Sequence, residues 1–128
     1  MDEDYYGDVV LDLRKTMEER IQAAFQLESA KKDENILKLA RGLKTDPSPI
    51  VRHEFAFSLG ETGRPDLVTK PLMDAVENDE NVFVRHEAIL ALSTLGKKEF
   101  IPFVERFLND PVKEMAESAE IALQRLKS

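Results

Sequence analysis

The sequence predicts an all-α protein, folded as a short, right-handed α-solenoid of about seven helices. A segment of 18 residues recurs without gaps at a period of 33 residues. The apolar residues of each copy follow the 3.6-residue period of a helix, and capping residues stand at matching places in the copies. No part of the chain requires a strand.

Two copies of the repeat are clear, and two more can be aligned with them. The clear copies are DPSPIVRHEFAFSLGETG at 46–63 and DENVFVRHEAILALSTLG at 79–96. A third copy begins at Asp110, and a weaker one lies upstream, where Arg20 matches Arg52. Shorter amphipathic segments separate the copies, so each repeat is predicted to be a pair of helices.

The predicted elements form a single domain over residues 8–128, preceded by a mobile acidic tail at 1–7. The domain begins with one long helix from about residue 8 to residue 30. Three helix pairs follow, at 34–62, 65–96 and 99–127.

Capping residues define where the second helix of a pair begins and ends. Ser48 and Asn81 stand at predicted N-cap positions, and Pro49 suits the first helical turn. Gly63 and Gly96 are placed to end these helices, because glycine readily adopts the left-handed conformation of a helix C-terminus.

Composition excludes several classes of protein. The chain has 128 residues, no cysteine, and 25 acidic against 18 basic residues, for a net charge of −7. Disulfide scaffolds and thiolate metal sites are therefore excluded. The absence of cysteine fits a cytoplasmic protein, and no apolar run is long enough for a membrane span. We expect no nucleic-acid or membrane partner, and an acidic chain suits a cationic one.

The two histidines are the candidate metal ligands. His53 and His86 occupy the same position in adjacent copies, within the tetrapeptide VRHE. Each lies early in the second helix of its pair, which in such solenoids lines the concave surface. Neighbouring helices pack about 8–10 Å apart, so both imidazoles could reach one ion. Glu87 could add a carboxylate, and two histidines with one carboxylate suit non-haem iron.

A structural interpretation of the same residues stays open. Glutamate at this position is common in such repeats, and duplication of one repeat would also duplicate a histidine without function. The histidines would then be surface residues. Arg52 and Arg85 also recur, and we expect them to pair with acidic residues of neighbouring repeats.

One register of the four copies is apolar and lies beside the histidines. It either forms an exposed stripe on the concave face, to be covered by a second subunit or a partner, or packs laterally between neighbouring helices. The residues of this register are Phe25, Phe57, Leu90 and Ile121, and with Ile89, next to Leu90, they are the candidate groove residues.

The copies that contain V-R-x-E-A and a later L-G resemble HEAT-like repeats of the bilin-lyase type. The paired His-Glu motifs, His53-Glu54 and His86-Glu87, resemble one half of deoxyhypusine hydroxylase. That family consists of HEAT-repeat di-iron oxygenases, which act on a modified lysine of a translation factor. Its members have four His-Glu motifs, two in each half, and this chain has two.

The resemblance implies a role for each residue of the motifs. His53, His86 and Glu87 would bind one iron ion (Fe²⁺), and Glu54 would hold the cationic amine of the substrate. A homodimer would then unite two half-sites into a di-iron centre, with a hypusine-type translation factor as partner. The alternative is a protein–protein interaction scaffold without chemistry, and the sequence leaves both functions open.

Overall fold

The computed structural model describes residues 2–128, which form eight α-helices and one short 3-10 helix, with no strand in that range. The helices are α1 (Glu3–Val9), α2 (Met17–Leu27), α3 (Asp33–Thr45), α4 (Pro49–Glu61), α5 (Pro65–Asn78), α6 (Val82–Leu95), α7 (Ile101–Glu105) and α8 (Lys113–Lys127). The 3-10 helix, Lys98–Phe100, precedes α7. None of the described helices combines the length and apolar character that a membrane crossing requires.

The helices stack in two layers. In what we call the second layer, α2, α4, α6 and α8 pack side by side in that order. In the other layer α1 contacts α3 and α3 contacts α5, while α7 packs on α8. The core lies between the layers and includes Leu27, Leu39, Phe55, Leu72 and Leu92, all fully buried. The predicted all-α solenoid is confirmed.

The prediction of one long helix over residues 8–30 is wrong, because the chain turns between α1 and α2. The Asp12 carboxylate accepts a hydrogen bond from the Arg14 amide at 3.0 Å. A capping box then starts α2: the Thr16 hydroxyl accepts from the Glu19 amide, and the Glu19 carboxylate accepts from the Thr16 amide, both at 3.0 Å. This motif satisfies two backbone donors at a helix N-terminus, and its Thr-x-x-Glu signature was present in the sequence.

The predicted mobile tail at 1–7 is also corrected, because α1 is anchored to the rest of the chain. The Glu3 carboxylate accepts from the Lys31 and Lys32 amides at 2.9 and 3.0 Å. The Asn35 amide donates to Glu3 at 2.8 Å, and this bond is the main reason that the pKa of Glu3 is lowered. Asp4 pairs with the Lys32 ammonium at 2.8 Å. Met1 of the predicted tail lies outside the described residues.

Three arginine–aspartate pairs link successive repeats along the second layer. Their N···O distances are 2.9 Å for Arg20–Asp46, 3.0 Å for Arg52–Asp79 and 3.3 Å for Arg85–Asp110. The carboxylate in each pair also accepts the backbone amide two residues later, where the next second-layer helix begins. The predicted pairing of Arg52 and Arg85 with acidic residues of a neighbouring repeat is thus confirmed.

The predicted caps hold in the two clear copies. The Ser48 hydroxyl accepts from the Val51 amide at 3.3 Å, and the Asn81 side chain accepts from the Phe83 and Val84 amides at 2.9 and 3.2 Å. Gly63 and Gly96 have φ values of 67° and 74°. The last pair differs: its first helix is reduced to the 3-10 turn and α7, and α8 has no side-chain cap.

A glycine brings the two histidine-bearing helices together. A Cβ atom added to Gly60 on α4 would lie 2.8 Å from the Cβ of Ala91 on α6, well inside van der Waals contact. Side chains on the exposed faces of α4 and α6 are therefore close enough to bridge the two helices.

Candidate functional site

The two His-Glu motifs lie one turn inside α4 and α6, on the exposed face of the second layer. The Ser48 and Asn81 caps fix where these helices begin, and this places His53 and His86 at matching depths. Adjacent helical residues are about 100° apart, so histidine and glutamate occupy neighbouring rows of the same face.

His53 lies between two carboxylates. Its Nε2 atom is 3.1 Å from Glu87 Oε1 on α6, and its Nδ1 atom is 3.3 Å from Glu54 Oε1 on α4. A neutral imidazole has one N–H, and an ionised carboxylate can only accept a hydrogen bond. If His53 is neutral, one of these contacts places a ring nitrogen without a proton against a carboxylate oxygen, and the two acceptors repel each other. A second proton on the ring or a metal cation between the two atoms removes this repulsion.

His86 has a different partner. Its Nδ1 atom contacts the hydroxyl of Ser118 on α8. Ser118 in turn donates to the Glu114 carbonyl oxygen at 2.5 Å. The structure therefore brings together His53, Glu54 and Glu87 of the predicted site residues, while His86 is engaged with the following repeat.

The chemistry of these residues fits a divalent metal ion. Two ligand atoms about 2.1 Å from a metal and at right angles to each other lie about 3.0 Å apart. The His53 Nε2–Glu87 Oε1 distance of 3.1 Å matches this spacing. As the side chains stand, no group of three or more histidine, cysteine, aspartate or glutamate residues within 2–128 has a metal-holding arrangement. The distance between His53 and Glu87 thus suits either a hydrogen bond or a shared ion, and His86 is adjacent to Glu87 in sequence.

The apolar stripe predicted beside the histidines is largely on the surface. Phe25, Phe57 and Ile121 are 37%, 42% and 41% exposed, and Leu90 is half-buried. The first three therefore bury more than half of their surface and leave the rest open to solvent, so lateral packing accounts for only part of the stripe. The prediction that Ile89 is a groove residue is wrong, because Ile89 is fully buried in the core and cannot form part of a groove surface.

Sequence reasoning missed a second apolar row on the other side of the histidines. Ile50 and Phe83 are 60% and 64% exposed and lie three residues before His53 and His86. Their common place in the 33-residue period was the available signal. The histidine cluster therefore lies between two rows of exposed apolar side chains, an arrangement that favours contact with another molecule.

Further acidic residues lie toward the other end of α4. The Ser58 hydroxyl donates to the Glu28 carboxylate at 2.9 Å. Burial raises the pKa of Glu28, and the nearby Glu61 carboxylate raises it further. With Glu54 and Glu87, these residues make this part of the second layer acidic, which favours a cationic ligand.

A groove of about 600 Å³ lies in the other layer, between α3 and α5. It has an apolar floor that includes Leu37, Ala40 and Pro71, with Arg41 and Lys70 at its edge. Its lining contains no residue of α4 or α6, so this groove is separate from the histidine cluster.

The sequence model of the family described as HEAT repeats matches residues 36–124. The chain is a HEAT-repeat protein. Its curated relatives include the deoxyhypusine hydroxylase of Schizosaccharomyces pombe, which is 38% identical over 109 residues. That alignment covers 84% of this HEAT-repeat protein and 34% of the relative. The deoxyhypusine hydroxylase of Rattus norvegicus is 31% identical over 123 residues, which are 94% of this protein and 40% of the rat protein.

A solved structure agrees with these similarities. Human deoxyhypusine hydroxylase in complex with glycerol superposes with a TM-score of 0.90 at 28% identity. The match covers 98% of this HEAT-repeat protein and 43% of the human chain. The protein therefore spans about one third to two-fifths of the length of the deoxyhypusine hydroxylases that it matches.

Proposed function

We propose that this HEAT-repeat protein binds iron through His53, His86 and Glu87 and acts as a half-size, deoxyhypusine-hydroxylase-like di-iron oxygenase. The contact between His53 Nε2 and Glu87 Oε1 at 3.1 Å carries the proposal, because it brings an imidazole and a carboxylate from adjacent repeats to the spacing of two metal ligands. The similarity to deoxyhypusine hydroxylases over 84–94% of the chain supports it.

We propose that Glu54 holds the His53 ring in the orientation that metal ligation needs. Metal-bound histidines usually donate their second N–H to a carboxylate or carbonyl, which fixes the ring and makes it a better ligand. Glu54 Oε1, 3.3 Å from Nδ1, takes this role for His53. Nε2 then keeps its lone pair for the metal and faces Glu87.

Glu54 is also the proposed site for the substrate amine. Its carboxylate has a second oxygen, and its side chain is about one-third exposed. A cationic side chain that approaches this face would meet Glu54 in acidic surroundings, within a protein of net charge −7. Bound iron would supply dioxygen activation, while the protein orients the amine and limits access of water.

We propose a homodimer that pairs two copies through the histidine face. A two-fold axis there would give two identical metal environments and would bring four His-Glu motifs together. The exposed apolar residues on both sides of the histidines support this interface, because a second copy would shield them from water. Phe57 and Phe83 are among them. The substrate protein would be a hypusine-type translation factor, met in the cytoplasm.

Metal content measured together with solution mass tests this function. After anaerobic addition of Fe²⁺, we expect about one iron per chain in a particle of twice the monomer mass. His53→Ala and His86→Ala should each abolish iron binding, because a shared ion loses a ligand. Gln22→Ala is the matched control, since Gln22 stands at the glutamate position of the upstream repeat, which lacks the histidine. Unchanged iron stoichiometry in either histidine variant would contradict the shared site.

A second candidate function is a non-enzymatic binding module. The exposed row of Phe25, Phe57 and Ile121 favours it, because such a stripe can dock a protein partner without any chemistry. A monomer that binds no iron would support this function. Hydroxylation of a deoxyhypusine-bearing substrate by the iron-loaded dimer would exclude it as the sole function.

A further inference from the structure

We propose that Ser118 is a positioning residue for His86: it holds the neutral imidazole as the Nδ1–H tautomer and leaves the Nε2 lone pair free to bind a metal. Ser118 is nearly fully buried on α8, one repeat beyond the second His-Glu motif. It stands where a third copy of the motif would have its glutamate.

The direction of two hydrogen bonds carries this inference. A serine hydroxyl has a single proton, and a backbone carbonyl can only accept. Ser118 donates its proton to the Glu114 carbonyl oxygen at 2.5 Å. Toward His86, the Ser118 oxygen can therefore only accept a hydrogen bond. Its contact with Nδ1 of His86 then requires that Nδ1 carries the hydrogen. The other ring nitrogen of neutral His86 then has a free lone pair.

His53 also has a hydrogen-bond acceptor beside its Nδ1 atom. Its Nδ1 atom faces Glu54, from its own helix, at 3.3 Å. His86 obtains its Nδ1 acceptor from the next helix instead. An acceptor at Nδ1 is thus available to both imidazoles, a carboxylate for His53 and a neutral hydroxyl for His86. Nε2 of His53 lies 3.1 Å from Glu87 Oε1, the proposed carboxylate ligand of the same ion.

The ring nitrogens can be assigned directly in the metal-free protein. The chain has only two histidines, so ¹⁵N imidazole spectra contain two ring systems, and His53→Ala identifies the signals of His86. Above the titration range of histidine, we expect Nδ1–H for His86 in the unmodified chain. In Ser118→Ala we expect a shift toward Nε2–H, the form that imidazole prefers in water.

Two further variants separate positioning from general damage to the fold. Ser118→Thr keeps the hydroxyl and should restore the Nδ1–H form. Ser93→Ala is the matched control, because Ser93 is also buried and donates to its own helix, at 2.6 Å from the Leu90 carbonyl oxygen, without touching a histidine. It should leave the His86 signals unchanged.

The consequence for metal binding rests on the proposed function. If iron binds as proposed, Ser118→Ala should lower the affinity for Fe²⁺ about 10-fold or more, and Ser93→Ala should not. An Nε2–H form of His86 in the unmodified chain, or an unchanged tautomer in Ser118→Ala, would overturn the inference. If the tautomer shifts as expected but no variant binds iron, the metal proposal fails and the role of Ser118 in fixing the ring stands.

Discussion

Arginine and histidine occupy adjacent positions in the repeat, yet the two rows that they form behave differently. The arginine row, Arg20, Arg52 and Arg85, finds the same kind of partner in three successive repeats. The histidine row has two members, and their partners differ: His53 faces carboxylates, while Nδ1 of His86 faces a hydroxyl.

This difference separates a position with a shared structural role in the repeat from a position without one. A contact that recurs with the same chemistry in every unit serves the stacking of the units. A residue that recurs in only two units, and meets different groups in each, has no such common structural role. We therefore assign a structural role to the arginine row, and the proposed binding function lies in the histidine row.

The largest expected effect is on the arginine row. Arg20 and Asp46 have side chains that are only 6% and 1% exposed, so Arg20→Ala leaves a buried carboxylate without its counter-ion. We expect a loss of about 3–5 kcal/mol in the free energy of unfolding, measured by denaturant titration. Arg14→Ala, which removes an exposed pair with Asp12, should leave the transition midpoint unchanged. If Arg20→Ala and Arg14→Ala had equal unfolding midpoints, the arginine row would have no special role in stability, and its contrast with the histidine row would fail.

A smaller effect is expected at the caps that begin the helices of both rows. Ser48→Ala and Asn81→Ala should each cost about 1 kcal/mol in thermal or denaturant unfolding. Asn81→Ala should cost more than Ser48→Ala, because the Asn81 side chain accepts two backbone amides and Ser48 accepts one, at 3.3 Å. The reverse order would show that these hydrogen bonds do not determine the cap energies.

The smallest effect on stability is expected in the histidine row. The His53 side chain is one-third exposed, so His53→Ala should change the free energy of unfolding by about 0.5 kcal/mol or less. The same variant should lose iron binding altogether. A destabilisation as large as that of Arg20→Ala would assign His53 a structural role and end the distinction between the rows.

The sequence predicted the fold well where the repeat is regular. Helices α3 to α6 begin and end close to the predicted positions, because their caps and apolar periods recur. It failed at the N-terminus, where a helical apolar pattern continues through the turn between α1 and α2. The capping box at Thr16 decides that turn, and periodicity alone does not detect it.

The site was predictable in part for a related reason. The repeat period identified His53, His86 and Glu87, and the face on which the motifs lie follows from the helical register. The partners of each ring depend on side-chain orientation across two helices, which no one-dimensional pattern contains. The sequence could not identify Ser118 as a site residue, since only the folded structure brings its hydroxyl into contact with His86.

The arginine–aspartate pairs have a consequence for how the chain opens. Each aspartate both pairs with an arginine of the preceding repeat and accepts the backbone amide just before the next second-layer helix, so it couples nearest neighbours in a one-dimensional array. The coupling weakens along the chain: the last pair, Arg85–Asp110, is longer, at 3.3 Å, and more exposed, at 17% and 13%. Cooperative opening should therefore start at α8, the helix that carries Ser118, and spread toward the N-terminus.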